Sequence, residues 1–273
     1  MAMTRSVIGD APKRREDLRF VTGTGRYLDD LAFPGVTHAV VLRSPHAHAL
    51  IERIATERAR SAQGVLAILT AEEARADGLS PLRPSADANV HTGEKFAFTP
   101  QPVLAEGKVR YVGEPVALIV AETRAQALDT AEMVMVDYSP LPAVTTAAVA
   151  RASGTPEISD EVPGNVCLDW RTGDAAAVDA AFAAAAHVVE LRIDNHRIVT
   201  NPIERRGVVG LWDTEQGRYT AHISSQSIHT TRQHSPRAGC CSGGGAIHRA
   251  RCRWRVWGQE LHLSRARIDA LGG

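Results

Sequence analysis

The chain has 273 residues, 44% of them apolar and 23% charged, with 31 basic and 31 acidic side chains. That balance excludes a general electrostatic attraction to nucleic acid or to a membrane surface. No apolar run approaches the roughly eighteen residues of a membrane-crossing helix, and the N-terminal MAMTRSVIGD lacks an apolar signal core, so a cytoplasmic location is expected. The length suits one large or two modest domains.

Residues 1–21 read as a polar N-terminal extension with a basic step at Lys13-Arg14-Arg15. The glycines of Thr22-Gly23-Thr24-Gly25 invite a phosphate-loop reading, but no strand precedes them and no helical run follows, so a tight turn is expected. Thr37 to Arg43 is the first strand. His46 and His48 follow it at i, i+2, a spacing that points both side chains one way in extended chain. No further metal ligand stands nearby, and structural histidines are favoured. Ile51 to Ile54 and Val65 to Thr70 read as strands, Ala71 to Ala76 as a short helix capped by Thr70, and Gly78 to Pro102 as a surface loop.

The stretch from Lys108 to Val144 carries the strongest pattern. Val116 to Val120 is rich in β-branched side chains and suits a strand buried on both faces. Thr123 and Gln126 form a capping-box pattern, with Ala127, Leu128 and Ala131 as the expected buried face of the helix they open. Met133 to Tyr138 returns to strand, and Pro140 and Pro142 stop it because proline donates no ladder hydrogen bond. A strand, helix, strand unit of this kind predicts two parallel neighbours under the helix.

Residues 145–164, mixing alanine with Gly154, Pro156, Pro163 and Gly164, read as a linker between domains. A strand is expected around Asn165 to Trp170. Asp174 should cap a helix whose Val178, Ala181, Phe182 and Ala185 form one apolar stripe, contributing roughly 1.5 to 3 kcal/mol for each large side chain buried. His187 to Ile193 and Tyr219 to Ser224 complete the expected strands. From Ser235 onward the composition changes: seven arginines stand against Glu260 and Asp269, with Cys240, Cys241, Cys252, Trp254 and Trp257.

Six segments in one order, GTGRYLDD at 23–30, LRSPHAHALI at 42–51, VRYVGEPVALIVAET at 109–123, VDYSPLPAV at 136–144, NPIE at 201–204 and SSQSIH at 224–229, resemble the molybdenum-binding large subunit of the xanthine dehydrogenase, aldehyde oxidase and aerobic carbon monoxide dehydrogenase family. The resemblance implies an α/β (α+β) fold, with an α/β hammerhead domain over 22–144 and, over 165–234, the incomplete start of a molybdopterin-binding domain. It also implies a molybdopterin cytosine dinucleotide carrying molybdenum, iron-sulphur and FAD partner subunits, and a small-molecule substrate: an aldehyde, an N-heterocycle or carbon monoxide, oxidised with oxygen from water. By the same resemblance Gln226 stands beside the molybdenum's apical oxo ligand, where an amide NH2 can donate without adding charge. Glu204 would lie further out, with Arg205 where proline is more usual. The catalytic glutamate and most of the cofactor cage of such proteins come later in sequence, so no catalytic residue is assignable and the 273-residue chain is expected to be inactive by itself.

Residues 235–273 leave the family's register. Back-translated one nucleotide later, the thirteen residues from Arg253 to Arg265 can read Gly-Gly-Gly-Phe-Gly-Ala-Lys-Asn-Phe-Ile-Tyr-Pro-Glu, the glycine-rich cofactor loop of the family and its continuation. A frameshift between about His234 and Gly243 is therefore expected, with a tail that forms no packed element. Two rival readings stand beside this one. The chain could act as a non-catalytic subunit-interaction module, or Cys240, Cys241, His248 and Cys252 could hold zinc while the arginines and tryptophans face nucleic acid.

Overall fold

The structure is a computed structural model of the chain. It describes residues 9, 11, 13–82, 95–97, 99, 101–193, 195, 198–199, 201–215 and 218–225, with the strand backbone at 246–249 and 260–263. The chain forms two compact units: Val40–Asn201 is one, and the residues up to Ala39 together with those from Pro202 onward make most of the other.

In the larger unit, β1 (His38–Arg43, from Val40 on), β3 (Val65–Leu69) and β5 (Pro115–Ala121) lie in one sheet with β5 in the middle. β3 runs antiparallel to β5, with Leu69 opposite Leu118. A second sheet has the order β4 (Lys108–Val109), β2 (Ala49–Ala55), β6 (Met135–Pro140), both neighbours antiparallel to β2. β5 is buried at Val116, Ala117, Ile119, Val120 and Ala121, as its β-branched run predicts. α4 (Arg124–Met133) packs small residues onto it, and Ala117, Ile119, Ala127 and Ala131 share one cluster with Ile68.

The capping box forms: the Gln126 backbone N–H donates to Thr123 Oγ1 at 3.2 Å, and Gln126 Oε1 accepts the Thr123 N–H at 3.0 Å. Two expectations for this unit are overturned. β5 and β6 are not parallel neighbours but belong to different sheets, β5 beside β3 and β6 beside β2. Local order along the chain specifies the connection, whereas the available edge of β2 decides the partner. The buried face of α4 is Ala127, Thr130 and Ala131, while Leu128 is 38% exposed. Positions i, i+3 and i+4 share a face, and i+1 lies about 100° away from it.

α3 (Ala71–Ala76) has the expected Thr70 cap, and α2 (Glu57–Arg60) and α1 (Asp17–Val21) are helices of four and five residues, too short to show a helical period in the sequence. His48 is buried; its Nδ1 donates to the Pro142 carbonyl at 2.8 Å, and the His46 ring lies 4.8 Å from that of Tyr138. Both act as structural histidines. Most of the expected loop 78–102 lies outside the described residues, although Leu82 and Gln101 form a bridge.

Between 145 and 165 the chain forms the short helix α5 (Ala147–Ala150) and makes its own hydrogen bonds. Asn165 Nδ2 donates to the carbonyls of Ala150 and Pro156, and its Oδ1 accepts the Ile158 N–H. The expected strand at 165–170 is absent: a 3-10 turn at Pro163–Asn165 leads into irregular backbone. α6 (Ala175–Ala184) starts as expected, with Asp174 Oδ1 accepting the Ala177 N–H at 3.0 Å. Its apolar stripe is not buried; Val178 is 51% and Phe182 60% exposed. Residues 187–193 form no strand either, and Val189 is 92% exposed. A strand needs a partner for its backbone and a stripe needs an opposing surface, and neither pattern can supply one from within itself.

In the smaller unit β7 (Gly207–Asp213) and β8 (Arg218–Ile223) form an antiparallel hairpin, with Val208 opposite Ile223 and Asp213 opposite Arg218. β8 is the strand expected at 219–224; β7 was not foreseen. Leu28 and Val209 centre its core with Phe33 and Leu211 beside them. No element was expected in 235–273, yet β9 (Ala246–Arg249) runs parallel to β8 and β10 (Glu260–Leu263) parallel to β7.

Candidate cofactor site

The residues singled out from the sequence are Glu204 and Gln226, and the β7–β8 hairpin lies between them in the chain. Glu204 stands three residues before Gly207, the start of β7. Ser224, just past β8, donates its N–H to the Gly207 carbonyl at 3.4 Å, the last backbone bond at the open end of the hairpin. Ser225 follows, and Gln226 lies outside the described residues. The two serines are half-buried at the open end of the hairpin.

Glu204 has a defined partner. Its Oε1 accepts the backbone N–H of Leu28 at 3.1 Å, across 176 residues of sequence. Leu28 opens the 3-10 turn Leu28–Asp30, whose first amides have no partner within the turn. Asp30 Oδ2 accepts the neighbouring Tyr27 N–H at 2.7 Å, so two carboxylates satisfy two consecutive donors. Burial pushes the Glu204 carboxyl above the usual carboxylate range, and the charges of Asp29 and Asp30 push the same way against the pull of the Leu28 N–H. Burial also lowers the Arg206 guanidinium. The cavity beside this contact is small, about 60 Å³, lined by Tyr27–Asp29 and Ile203–Val208.

A larger cleft of about 1030 Å³ lies in the other unit, lined by Arg110, Thr146, Ser159, Asn165, Cys167 and Arg192 among others. It contains none of the residues singled out for cofactor binding. Among the described residues no group of three His, Cys, Asp or Glu side chains could hold a metal ion. A pterin dinucleotide requires a pocket of roughly 300 Å³ or more. The described residues around Glu204 and Ser224–Ser225 therefore do not fit that group by themselves.

Sequence reasoning placed Glu204 near the site but missed its partner. A backbone N–H leaves no mark in a sequence; the only local sign was the Tyr27-Leu28-Asp29-Asp30 turn, which resembles the family without revealing what its amides bind. The zinc reading of the tail rests on Cys240, Cys241, His248 and Cys252, whose side chains lie outside what the structure describes.

Mixed strands and helices in this order, with two sheets and a β7–β8 hairpin, define the class as an α/β (α+β) chain. Residues 22–142 match the family model "Aldehyde oxidase and xanthine dehydrogenase, a/b hammerhead domain", and residues 158–238 match "Molybdopterin cofactor-binding domain". The chain belongs to the aldehyde oxidase and xanthine dehydrogenase family. It is 35% identical over 237 residues to the carbon monoxide dehydrogenase large chain of Afipia carboxidovorans, covering 82% of this chain and 28% of that one. It is 36% identical over 229 residues to the nicotine 6-hydroxylase large subunit of Paenarthrobacter nicotinovorans, covering 83% and 27%. The crystal structure of quinoline 2-oxidoreductase from Pseudomonas putida 86 superposes with a TM-score of 0.76 at 32% identity, over 88% of this chain and 30% of that one. The chain thus spans somewhat under a third of the length of these relatives. No helix among the described residues is long and apolar enough to cross a membrane.

Proposed function

We propose that the chain is the N-terminal part of the large subunit of a molybdenum hydroxylase, with a hammerhead domain over 22–144, a linker over 145–164 and the start of the molybdopterin-binding portion over 165–234. The observation that carries this reading is the order of the two family matches, hammerhead first and cofactor-binding second, without overlap. The complete subunit would act in the cytoplasm, with molybdopterin cytosine dinucleotide and with iron-sulphur and FAD partners. It would oxidise an aldehyde, an N-heterocycle or carbon monoxide, the oxygen coming from water. Gln226 would be among the residues that hold the cofactor, its neutral amide offering a hydrogen bond without adding charge.

Activity needs residues beyond this register. The second family match ends at residue 238, close to where the tail departs from the family pattern, and the shifted reading of Arg253–Arg265 supports a frameshift just before it. Metal analysis and dye reduction test the reading together. The 273-residue chain should carry no stoichiometric molybdenum and reduce no dye with aldehyde, purine or carbon monoxide. A subunit expressed from the gene with the frame restored after about residue 243 should do both. Substrate-dependent dye reduction by the 273-residue chain, or early stop codons and no Gly-Gly-Gly-Phe-Gly in the shifted frame, would overturn it.

A further inference from the structure

The contact between Glu204 and Leu28 joins two segments that the family resemblance treats separately, GTGRYLDD at 23–30 and NPIE at 201–204. Three observations bear on what it does. The bond is made to a backbone donor that opens a turn, so its strength does not depend on which side chain Leu28 carries, and the core position of Leu28 against Val209 fixes where that donor points. Glu204 sits three residues before Gly207, the residue whose carbonyl accepts the Ser224 N–H at the open end of the hairpin. Ser224 precedes Gln226 by two residues in the chain.

We propose that Glu204 is a positioning residue: by accepting the Leu28 N–H it anchors the entry of β7 and so holds the β7–β8 end from which Ser224 and Ser225 lead to Gln226. That Gln226 meets a cofactor rests on the function proposed above; the anchor itself does not. A carboxyl, ionised or protonated, and an amide each keep an oxygen that can accept the Leu28 N–H. Charge is therefore dispensable at this position and reach is not. A glutamine should replace Glu204, whereas aspartate, one methylene shorter, should not.

Amide hydrogen exchange on the full chain separates these alternatives. Glu204→Ala and Glu204→Asp should each speed exchange at Leu28 and Ser224 by about tenfold or more, the scale expected when a part-buried donor is left without its acceptor. Glu204→Gln should stay within about threefold of the unaltered chain, a difference under 1 kcal/mol. Exchange at Ile119 and Val120, in the other unit, reports whether a variant has unfolded as a whole. The proposal is overturned if Leu28 and Ser224 are unaffected by Glu204→Asp, or if Glu204→Gln speeds them as much as Glu204→Ala. If Glu204→Ala unfolds the chain, Glu204→Gln and Glu204→Asp decide between the outcomes. These rates do not depend on molybdenum, so a failure of the functional reading would show in metal content and dye reduction while leaving the exchange pattern intact.

Discussion

Glu73 and Glu114 are carboxylates in the same unit with opposite pH signatures. At Glu73 burial pushes the carboxyl up, but hydrogen bonds from Thr70 and Arg60 prevail and hold it below its ordinary value. A depressed acid contributes stability above its unfolded pKa and loses it as pH falls through the folded one. At Glu114, 5% exposed, burial dominates the Arg110 and Tyr111 hydrogen bonds and raises the carboxyl. A raised acid contributes stability that is full below its unfolded pKa and lost as pH rises through the folded one. Urea midpoints measured between about pH 3 and pH 7 should therefore show Glu73→Gln weakening the loss of stability on acidification and Glu114→Gln weakening the loss on neutralisation. Gly64 makes a steric prediction at the same scale. Its φ is +78°, and a Cβ there would meet the Gln126 side chain that closes the capping box of α4. Gly64→Ala should lower stability by more than about 1 kcal/mol, combining left-handed strain with loss of that contact, and equilibrium unfolding would measure it.

Element by element, burial separates patterns that look alike in sequence. β5 and α6 both present apolar stripes, yet Ile119 is fully buried and Phe182 is 60% exposed. Ile119→Ala should cost about 2–5 kcal/mol, while Phe182→Ala should cost less than about 1 kcal/mol despite deleting more atoms, because no opposing surface loses contact. Denaturation midpoints for the pair check this, and a large loss at Phe182 would mean that α6 is covered in solution. Caps behave more predictably than stripes. Thr123→Ala should cost roughly 1 kcal/mol, since the cap bonds are local and form wherever the helix does. The capping boxes at Thr70 and Thr123 were legible for that reason, whereas the partner of β6 was not, because β2 lies eighty-odd residues earlier and its free edge is a fact of packing.

For the whole molecule, 145–165 and 187–193 exchange the roles that composition suggests. The proline- and glycine-containing segment around Asn165 is tied by its own hydrogen bonds, while the apolar segment after α6 is exposed at Val188, Val189, Leu191 and Ile193. Limited proteolysis should therefore cut first within 187–193 and leave 145–165 attached to the larger unit; first cuts between 145 and 165 would contradict the hydrogen-bonded geometry. The candidate site follows the same division. Its motif residues were visible as words, NPIE and SSQSIH, but the bond that gives Glu204 a role connects it to a backbone donor in the N-terminal turn.

The sequence by itself determined what depends on near neighbours: the caps at Thr70, Thr123 and Asp174, the buried run of β5, the strands at 38–43 and 218–223, and the family to which the ordered motifs belong. Helix caps and strand periodicity are set within a few residues, so they survive reading one line at a time. Only the tertiary structure decided which sheet β6 joined, that the α6 stripe found no cover, and that Glu204 reached Leu28. Each of those outcomes depends on a surface or a donor supplied from a distance, and a periodic pattern states that a face is apolar without stating what lies opposite it.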